Sequence, residues 1–179
     1  MHPFICRVDS EDKIIFVDAH WTQFAGENGS DLTPKAVIGN SLWIYMSDVT
    51  TRHLYRIFMH RVRHHRRDIM VPFRCDAPDR RRFMRMTLRP LSDDGVEFSS
   101  ELLREEPRQK VNLLDATFPR RTDFLEMCSW CKKVKAPDWV ETEEGVARLR
   151  LFDAPQLPWV SHSVCPECDK SLLELLENE

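Results

Sequence analysis

The sequence predicts an α+β protein, a five-stranded antiparallel sheet with helices on one face, followed by a small unit organised by cysteines. Two observations support this. Segments of strand and helix period follow one another as two strands, several short helices, one longer helix and three strands. Two C-x-x-C pairs then stand in the last third of the chain. We expect a sheet domain at 1–106, a linker at 107–122 and the cysteine unit at 123–179.

The first segment predicts a hairpin and a short helix. Apolar residues dominate positions 4–8 and 13–17, and a polar turn separates them. Asp18 is a suitable N-cap for the helix that follows, because its carboxylate can accept a free backbone N–H. Trp21 and Phe24 then lie on one face of that helix.

A longer helix is predicted from Asp48, again as N-cap, to His65. Leu54, Phe58 and Val62 recur every four residues and define its buried side. Arginine and histidine side chains crowd its last turns, where cations meet the negative end of the helix dipole.

Three strands are predicted after this helix, separated by polar turns at 76–79 and 92–95. In these strands apolar side chains such as Met84 alternate with outward arginines, among them Arg74. Pro72 cannot donate a backbone hydrogen bond, which favours an edge position or a bulge.

This order of elements, together with local motifs, resembles the PAS family. Residues 21–28 are similar to the PAS helix that follows the first hairpin, and residues 37–43 to its hydrophobic–Gly–x–x–Leu–Trp motif. Residues 71–79, with arginines after them, resemble bacterial PAS-like proteins of about this length. The resemblance covers most of 1–106 and implies a sensory or dimerising module.

The resemblance leaves open whether the domain holds a ligand. Six aromatic residues either line a pocket or fill the core, and we favour a filled core: Trp21, Phe24, Trp43, Tyr45, Phe58 and Phe73.

Four cysteines predict a metal site: Cys128, Cys131, Cys165 and Cys168. Two residues between paired cysteines let the backbone turn so that both sulfurs reach one zinc ion about 2.3 Å away. Two such pairs complete a tetrahedron and leave no position for substrate. A structural zinc ion is therefore predicted.

Residues 127–133 and 161–168 resemble a module at the end of bacterial PAS-containing signalling proteins, where C-x-W-C-K-K is paired with S-H-x-x-C-P-x-C. Those proteins often continue into histidine kinase or other output domains, so the resemblance implies output by a separate partner protein. His162 is either a competing ligand or a hydrogen-bond donor to a thiolate. Lys132 and Lys133 are expected to offset the thiolate charge.

Composition bounds the location. The chain of 179 residues is 42% hydrophobic and 31% charged, with a net charge of −3. No apolar run approaches the roughly 18 residues of a membrane span, and no secretion signal begins the chain. Six cysteines without such a signal favour a reducing compartment. We expect a cytoplasmic protein with no membrane partner, in which Cys6 and Cys75 are ordinary core residues.

We expect no enzyme, because neither a nucleophile with a base and an orienting group nor a Gly-rich phosphate loop is present. The sequence favours a non-enzymatic signalling module that acts through protein contacts, including homodimerisation. Two alternatives stay open. One is a zinc-ribbon transcription regulator that binds DNA through its arginine-rich face, although nucleic acid is the less favoured partner. The other is a thiol redox switch that uses the same four cysteines.

Overall fold

The computed structural model describes residues 2–27, 31–46 and 48–177. Asn28, the last residue of the first PAS-like motif, lies outside them. The described residues form two compact units. The first unit comprises residues up to 72 together with 84–103, and the second comprises 73–83 together with 104 onward.

The strands and helices that precede the cysteine unit follow the order predicted from the sequence. They are β1 (Phe4–Val8), β2 (Ile14–Val17), α1 (Ala19–Glu27), α2 (Pro34–Val37), a 3₁₀ turn (Leu42–Tyr45), α3 (Val49–His65), β3 (Ile69–Arg74), β4 (Arg80–Pro90) and β5 (Val96–Pro107). The sheet order is β2-β1-β5-β4-β3, and β1 pairs antiparallel with both β2 and β5. The α+β class and the PAS-like five-stranded sheet are confirmed.

Local capping explains where the helices of the first unit begin and end. The Asp18 carboxylate accepts a hydrogen bond from the Trp21 backbone N–H at 2.7 Å, and the Asp48 carboxylate accepts one from the Thr51 N–H at 2.5 Å. Both caps agree with the prediction. Helix α3 ends where Arg66 adopts the left-handed conformation, with φ of 55°.

The core of the first unit lies between α3 and the sheet. Leu54, Phe58 and Val62 are buried, as the four-residue repeat predicts, and Met84 of β4 is buried as well. Pro72 lies in β3, which is an edge strand of its sheet, so the expected edge position is confirmed.

The second unit contains a four-stranded sheet and two helices. Its elements are a 3₁₀ turn (Asn112–Leu114), β6 (Arg120–Cys128), β7 (Val134–Lys135), β8 (Trp139–Val140), α4 (Thr142–Arg148), β9 (Leu157–Ser163) and α5 (Pro166–Glu177). The strand order is β8-β7-β6-β9, with β6 and β9 parallel and the other pairs antiparallel. The expected short helix or turn from Asp123 was wrong, because this segment is a strand.

A small aliphatic core holds the second unit together. Its buried members are Val111, Leu113, Leu125, Met127, Val134, Val146, Leu151 and Leu157. Two of them, Val111 and Leu113, come from the segment 107–122 that was expected to be a linker. Gly145 lets α4 pack closely on β7, because a Cβ there would lie 2.1 Å from Val134 Cγ2. Close packing therefore explains a glycine that costs helix propensity.

Among the described residues, no helix combines the length and the apolar character that a membrane span needs.

Candidate metal centre

The first cysteine pair lies in a tight turn between β6 and β7. Cys128 is the last residue of β6, and its backbone N–H donates to the Lys133 carbonyl at 2.8 Å. The Lys132 N–H donates back to the Cys128 carbonyl at 3.1 Å, and Lys132 is left-handed with φ of 63°. This turn brings Cys131 back beside Cys128.

The second pair lies where β9 passes into α5. Cys165 immediately precedes the helix, and Cys168 lies in its first turn. The Cys165 carbonyl accepts the Asp169 N–H at 2.9 Å. The Cys165 N–H donates to Cys128 Sγ at 3.4 Å, so one pair contributes a hydrogen bond to a sulfur of the other. A helix N-terminus also favours negative charge on nearby sulfurs.

Parallel pairing of β6 and β9 brings the two pairs together. Parallel neighbours end at the same edge of a sheet, and Cys128 is the register partner of Ser163. The Ser129 N–H continues the ladder with a 2.7 Å hydrogen bond to the Ser163 carbonyl. Parallel strands need a long crossover, which β7, β8 and α4 supply.

The four sulfurs form one compact cluster. The Sγ atoms of Cys128, Cys131, Cys165 and Cys168 all lie within 4.8 Å of one another. The Cys131 and Cys165 sulfurs are 3.7 Å apart, and all four thiols are free of disulfides. An ion about 2.3 Å from each of four tetrahedral sulfurs separates them by about 3.8 Å. The donor set therefore fits a zinc ion in chemistry and in size.

Hydrogen bonds among the thiols shift their pKa values in opposite directions. Hydrogen bonds from the Cys131 and Cys168 thiols strongly lower the pKa of Cys128. The hydrogen bond to Cys128 in turn raises the pKa of Cys131 to about 12 and also raises that of Cys168. One sulfur thus takes thiolate character while its neighbours keep their protons. Four thiolates at this spacing require a bound cation to balance them.

Charged residues beside the cluster are held in place. Lys133 Nζ lies 2.5 Å from the Glu167 carboxylate. The hydrogen bond to Glu167 raises the pKa of Lys133, and the Cys131 and Cys165 sulfurs add to the rise. Lys132 Nζ donates to the Ser129 carbonyl at 2.8 Å. His162 is exposed and is not a member of the four-sulfur cluster.

The remaining two cysteines lie apart from the cluster. Cys6 and Cys75 are half-buried and free of disulfides. Burial raises the pKa of the Cys6 thiol to about 12 and also raises that of Cys75. Neither is therefore a reactive thiolate.

A buried ion network in the second unit was missed from the sequence. The Asp76 side chain is fully buried and pairs with Arg74 at 2.5 Å and Arg108 at 3.1 Å. Arg74 also pairs with Glu141 at 2.7 Å, and Arg108 with Glu143 at 3.2 Å. The expectation that Arg74 points to solvent was wrong, because its guanidinium is buried and pairs with the carboxylates of Asp76 and Glu141.

This network is bonded to the first cysteine turn. The Arg74 backbone N–H donates to the Trp130 carbonyl, between Cys128 and Cys131, at 2.7 Å. Residues 73–83 thus hold the backbone of the turn that carries two of the four sulfurs. The sequence pattern does not predict this hydrogen bond, because the alternation of apolar and polar residues in β3 places Arg74 on the solvent side.

The first unit contains a cavity of about 160 Å³ with a largely apolar lining. Trp21 and Tyr45, from the aromatic set singled out in the sequence, line it together with Cys6 and Tyr55. Phe58 is instead fully buried in the core. Of the six, two therefore line the cavity and one lies in the core, while Phe24, Trp43 and Phe73 are half-buried outside both.

No protein-family model and no curated protein matches the sequence. The solved structures to which the chain is similar include the following three. A domain of an HTR-like protein from Haloarcula marismortui has a TM-score of 0.43 and 14% identity, over 57% of this chain and 98% of that one. The PAS-B domain of a Drosophila melanogaster Cycle variant with bound glycerol has a TM-score of 0.35 and 16% identity, over 56% of this chain and 99% of that one.

A sensory box sensor histidine kinase from Vibrio cholerae has a TM-score of 0.42 and 8% identity, over 57% of this chain and 82% of that one. Scores of this size carry no argument about function. The PAS-like assignment of the fold rests on the strand order and the placement of the helices.

Proposed function

We propose that the protein is a non-enzymatic signalling module in which Cys128, Cys131, Cys165 and Cys168 hold a structural zinc ion. The observation that carries the proposal is the meeting of four free sulfurs, within 4.8 Å of one another, at the ends of two parallel strands. Four protein donors complete the coordination of zinc, so no position is left for a reacting molecule. The role of the ion is to fix β6, β9 and α5 in place.

The energetics support a structural role. The aliphatic core of the second unit is small, with eight buried members. Binding of zinc to four-ligand sites in small domains contributes about 10–16 kcal/mol to folding. An ion that joins the first pair to the second therefore adds stability of the same order as the burial of these eight side chains.

The pairing of the arginines with carboxylates supports signalling through protein contacts rather than through DNA. Many arginines of the first unit already pair with carboxylates, among them Arg85 with Glu101 at 2.5 Å and Arg89 with Asp68 at 3.1 Å. Such pairing lowers the cationic charge available to phosphates. A protein partner that receives the signal is thus favoured over DNA.

Elemental analysis with thiol counting on protein purified under reducing conditions tests the proposal. We expect one zinc ion per chain and four thiols that react with an alkylating reagent only after chelation. Cys165→Ser should abolish stoichiometric zinc, whereas Cys6→Ser, the matched control outside the cluster, should retain it. Zinc-free protein whose four cysteines react at once would refute the zinc site.

One observation favours a second candidate, a redox switch that uses the same thiolates. Cys128 and Cys165 are 0% and 1% exposed, whereas Cys131 and Cys168 are half-buried. With zinc bound all four sulfurs are thiolates, and the more accessible ones are oxidised first, so peroxide would attack Cys131 and Cys168 before the other two. The test is treatment with peroxide. The switch is established if Cys131 and Cys168 first stop reacting with an alkylating reagent, zinc is then released, and reductant with zinc reverses both changes.

A further inference from the structure

The sheet of the second unit has one face on the core and one face in solvent. Leu125 and Met127 of β6 and Val134 of β7 belong to the aliphatic core, and Val140 and Val160 pack against it. Strand side chains alternate between faces, so the neighbours of these residues point away from the core. The outer face, as we call it, consists of Phe124, Glu126, Lys135, Trp139, Trp159 and Ser161.

Strand register arranges these side chains in two rows. Trp139 is the partner of Lys135, and Ser161 is the partner of Glu126. Lys135 Nζ lies 3.4 Å from the Glu126 carboxylate, which completes a row across all four strands.

The second row is an aromatic pair. Phe124 and Trp159 are register partners on β6 and β9, and their side chains are 70% and 53% exposed. Single exposed apolar residues are normal, but two large aromatics side by side on a sheet mark an interaction site. Aromatic residues are also enriched among those that dominate protein interfaces.

The charges of the outer face indicate which partner fits it. The face carries one cation, Lys135, and one anion, Glu126, on adjacent strands. A two-fold axis parallel to the strands and midway between β6 and β7 sets β7 of each copy opposite β6 of the other. Each Lys135 then meets the Glu126 of the second copy, and β9 faces β8, both of which carry tryptophan.

We propose that the outer face is a homodimer interface, in which a second copy of this chain packs sheet to sheet through Phe124, Trp159 and the Lys135–Glu126 pair. A face of a single charge sign would repel its own copy, whereas this one is self-complementary, as a two-fold interface requires. The two aromatics of each copy supply the apolar area. Two aromatics and one charge pair per copy form a small interface, and small interfaces are typically weak or transient.

Sedimentation velocity on the full-length protein across the micromolar range tests the proposal. We expect a concentration-dependent monomer–dimer equilibrium. Phe124→Ser and Trp159→Ser should each raise the dimer Kd by about tenfold or more. Ile44→Ser, which removes an apolar side chain that is 63% exposed in the first unit, is the matched control and should leave Kd unchanged. Circular dichroism and zinc content verify that each variant is folded.

A charge exchange separates a second copy from any other partner. Lys135→Glu alone sets carboxylate against carboxylate at both symmetry-related positions, and Glu126→Lys alone sets ammonium against ammonium. Both single variants should weaken the dimer, and the double variant should restore Kd to within about threefold of the original value. The double variant can restore binding only if both sides of the interface carry the exchanged charges, which is the case when the partner is a second copy of this chain.

Three results would overturn the proposal. The first is a monomer at every concentration. The second is a dimer whose Kd is unaffected by Phe124→Ser and Trp159→Ser. Such a dimer would form through another surface, such as the edge strand β9. The third is failure of the double variant to recover, which would show that Lys135 does not face Glu126 of the second copy.

Discussion

In the first unit α3 buries Leu54, Phe58 and Val62 against a sheet, whereas the second unit buries Asp76 between two arginines and gathers four sulfurs at one point. Apolar side chains pack in many arrangements, and an apolar core tolerates changes that preserve its volume. Buried charges and metal ligands have no such tolerance, because removal of one partner leaves the others uncompensated. Removal of a single group should therefore cost the second unit much of its stability, whereas single substitutions in the core of the first unit should each cost little.

Removal of the metal should give the largest effect. We expect a strong chelator to abolish the hydrogen-exchange protection of β6 and β9, because about 10–16 kcal/mol of folding energy is lost with a four-thiolate zinc site. Amides of α3 should stay protected. Hydrogen exchange followed by mass spectrometry, before and after chelation, provides the measurement.

The control for chelation is re-addition of zinc, which should restore protection in β6 and β9. Equal loss of protection in α3 and β6 would show that the two units unfold together and would remove the contrast between them. Unchanged protection in both would show that the aliphatic core suffices without a metal.

The next largest effect should come from Asp76→Asn. The substitution preserves shape but leaves the Arg74 and Arg108 guanidinium groups without their shared carboxylate. Breaking a buried ion pair in this way costs about 3–5 kcal/mol, which should appear as a lower midpoint of urea unfolding for β6 and β9. Asp79→Asn is the control, because Asp79 is exposed and pairs only at the surface. Equal midpoints for the two variants would contradict the buried role of Asp76.

The ion network also shows where sequence reasoning stops. Cysteine spacing is a local signal, since two residues between sulfurs already dictate a shared ion, and all four proposed ligands meet in the structure. Arg74 and Glu141 lie far apart in the chain, and no periodic pattern connects them. Only the folded backbone brings them within 2.7 Å, so strand alternation misplaced Arg74.

Secondary structure elements with strong local signals were predicted, whereas those that depend on long-range contacts were missed. Helix α3 was predicted to its last residue, because its cap, its apolar repeat and its basic end all agree. Strand β6 was missed entirely, because residues 120–122 were assigned to the linker and the segment from Asp123 to a short helix or turn. Its residues 121–124 are all exposed, so no alternation marks them as a strand. The parallel pairing with β9 is a long-range property that no local motif encodes.

A moderate effect is expected from Val62→Ala in the first unit. Loss of two buried methyl groups at about 0.8 kcal/mol each, plus a small cavity, should lower the free energy of unfolding by about 2 kcal/mol. Unfolding monitored by exchange in α3 measures this loss, and zinc content should not change. Val49→Ala is the control, because Val49 is 78% exposed. Release of zinc from Val62→Ala would show that the metal site depends on this core.

The smallest effect should come from Arg85→Gln, which removes a surface ion pair of the first unit. The Arg85 and Glu101 side chains are 44% and 36% exposed, so water and salt screen the attraction. Exposed pairs contribute about 0–1 kcal/mol, and we expect a change in this range that shrinks further in high salt. Unfolding at low and high ionic strength, with Arg108→Gln as the buried counterpart, provides the measurement. If Arg85→Gln lowers the free energy of unfolding as much as Arg108→Gln does, the burial of an arginine does not determine its contribution to stability in this protein.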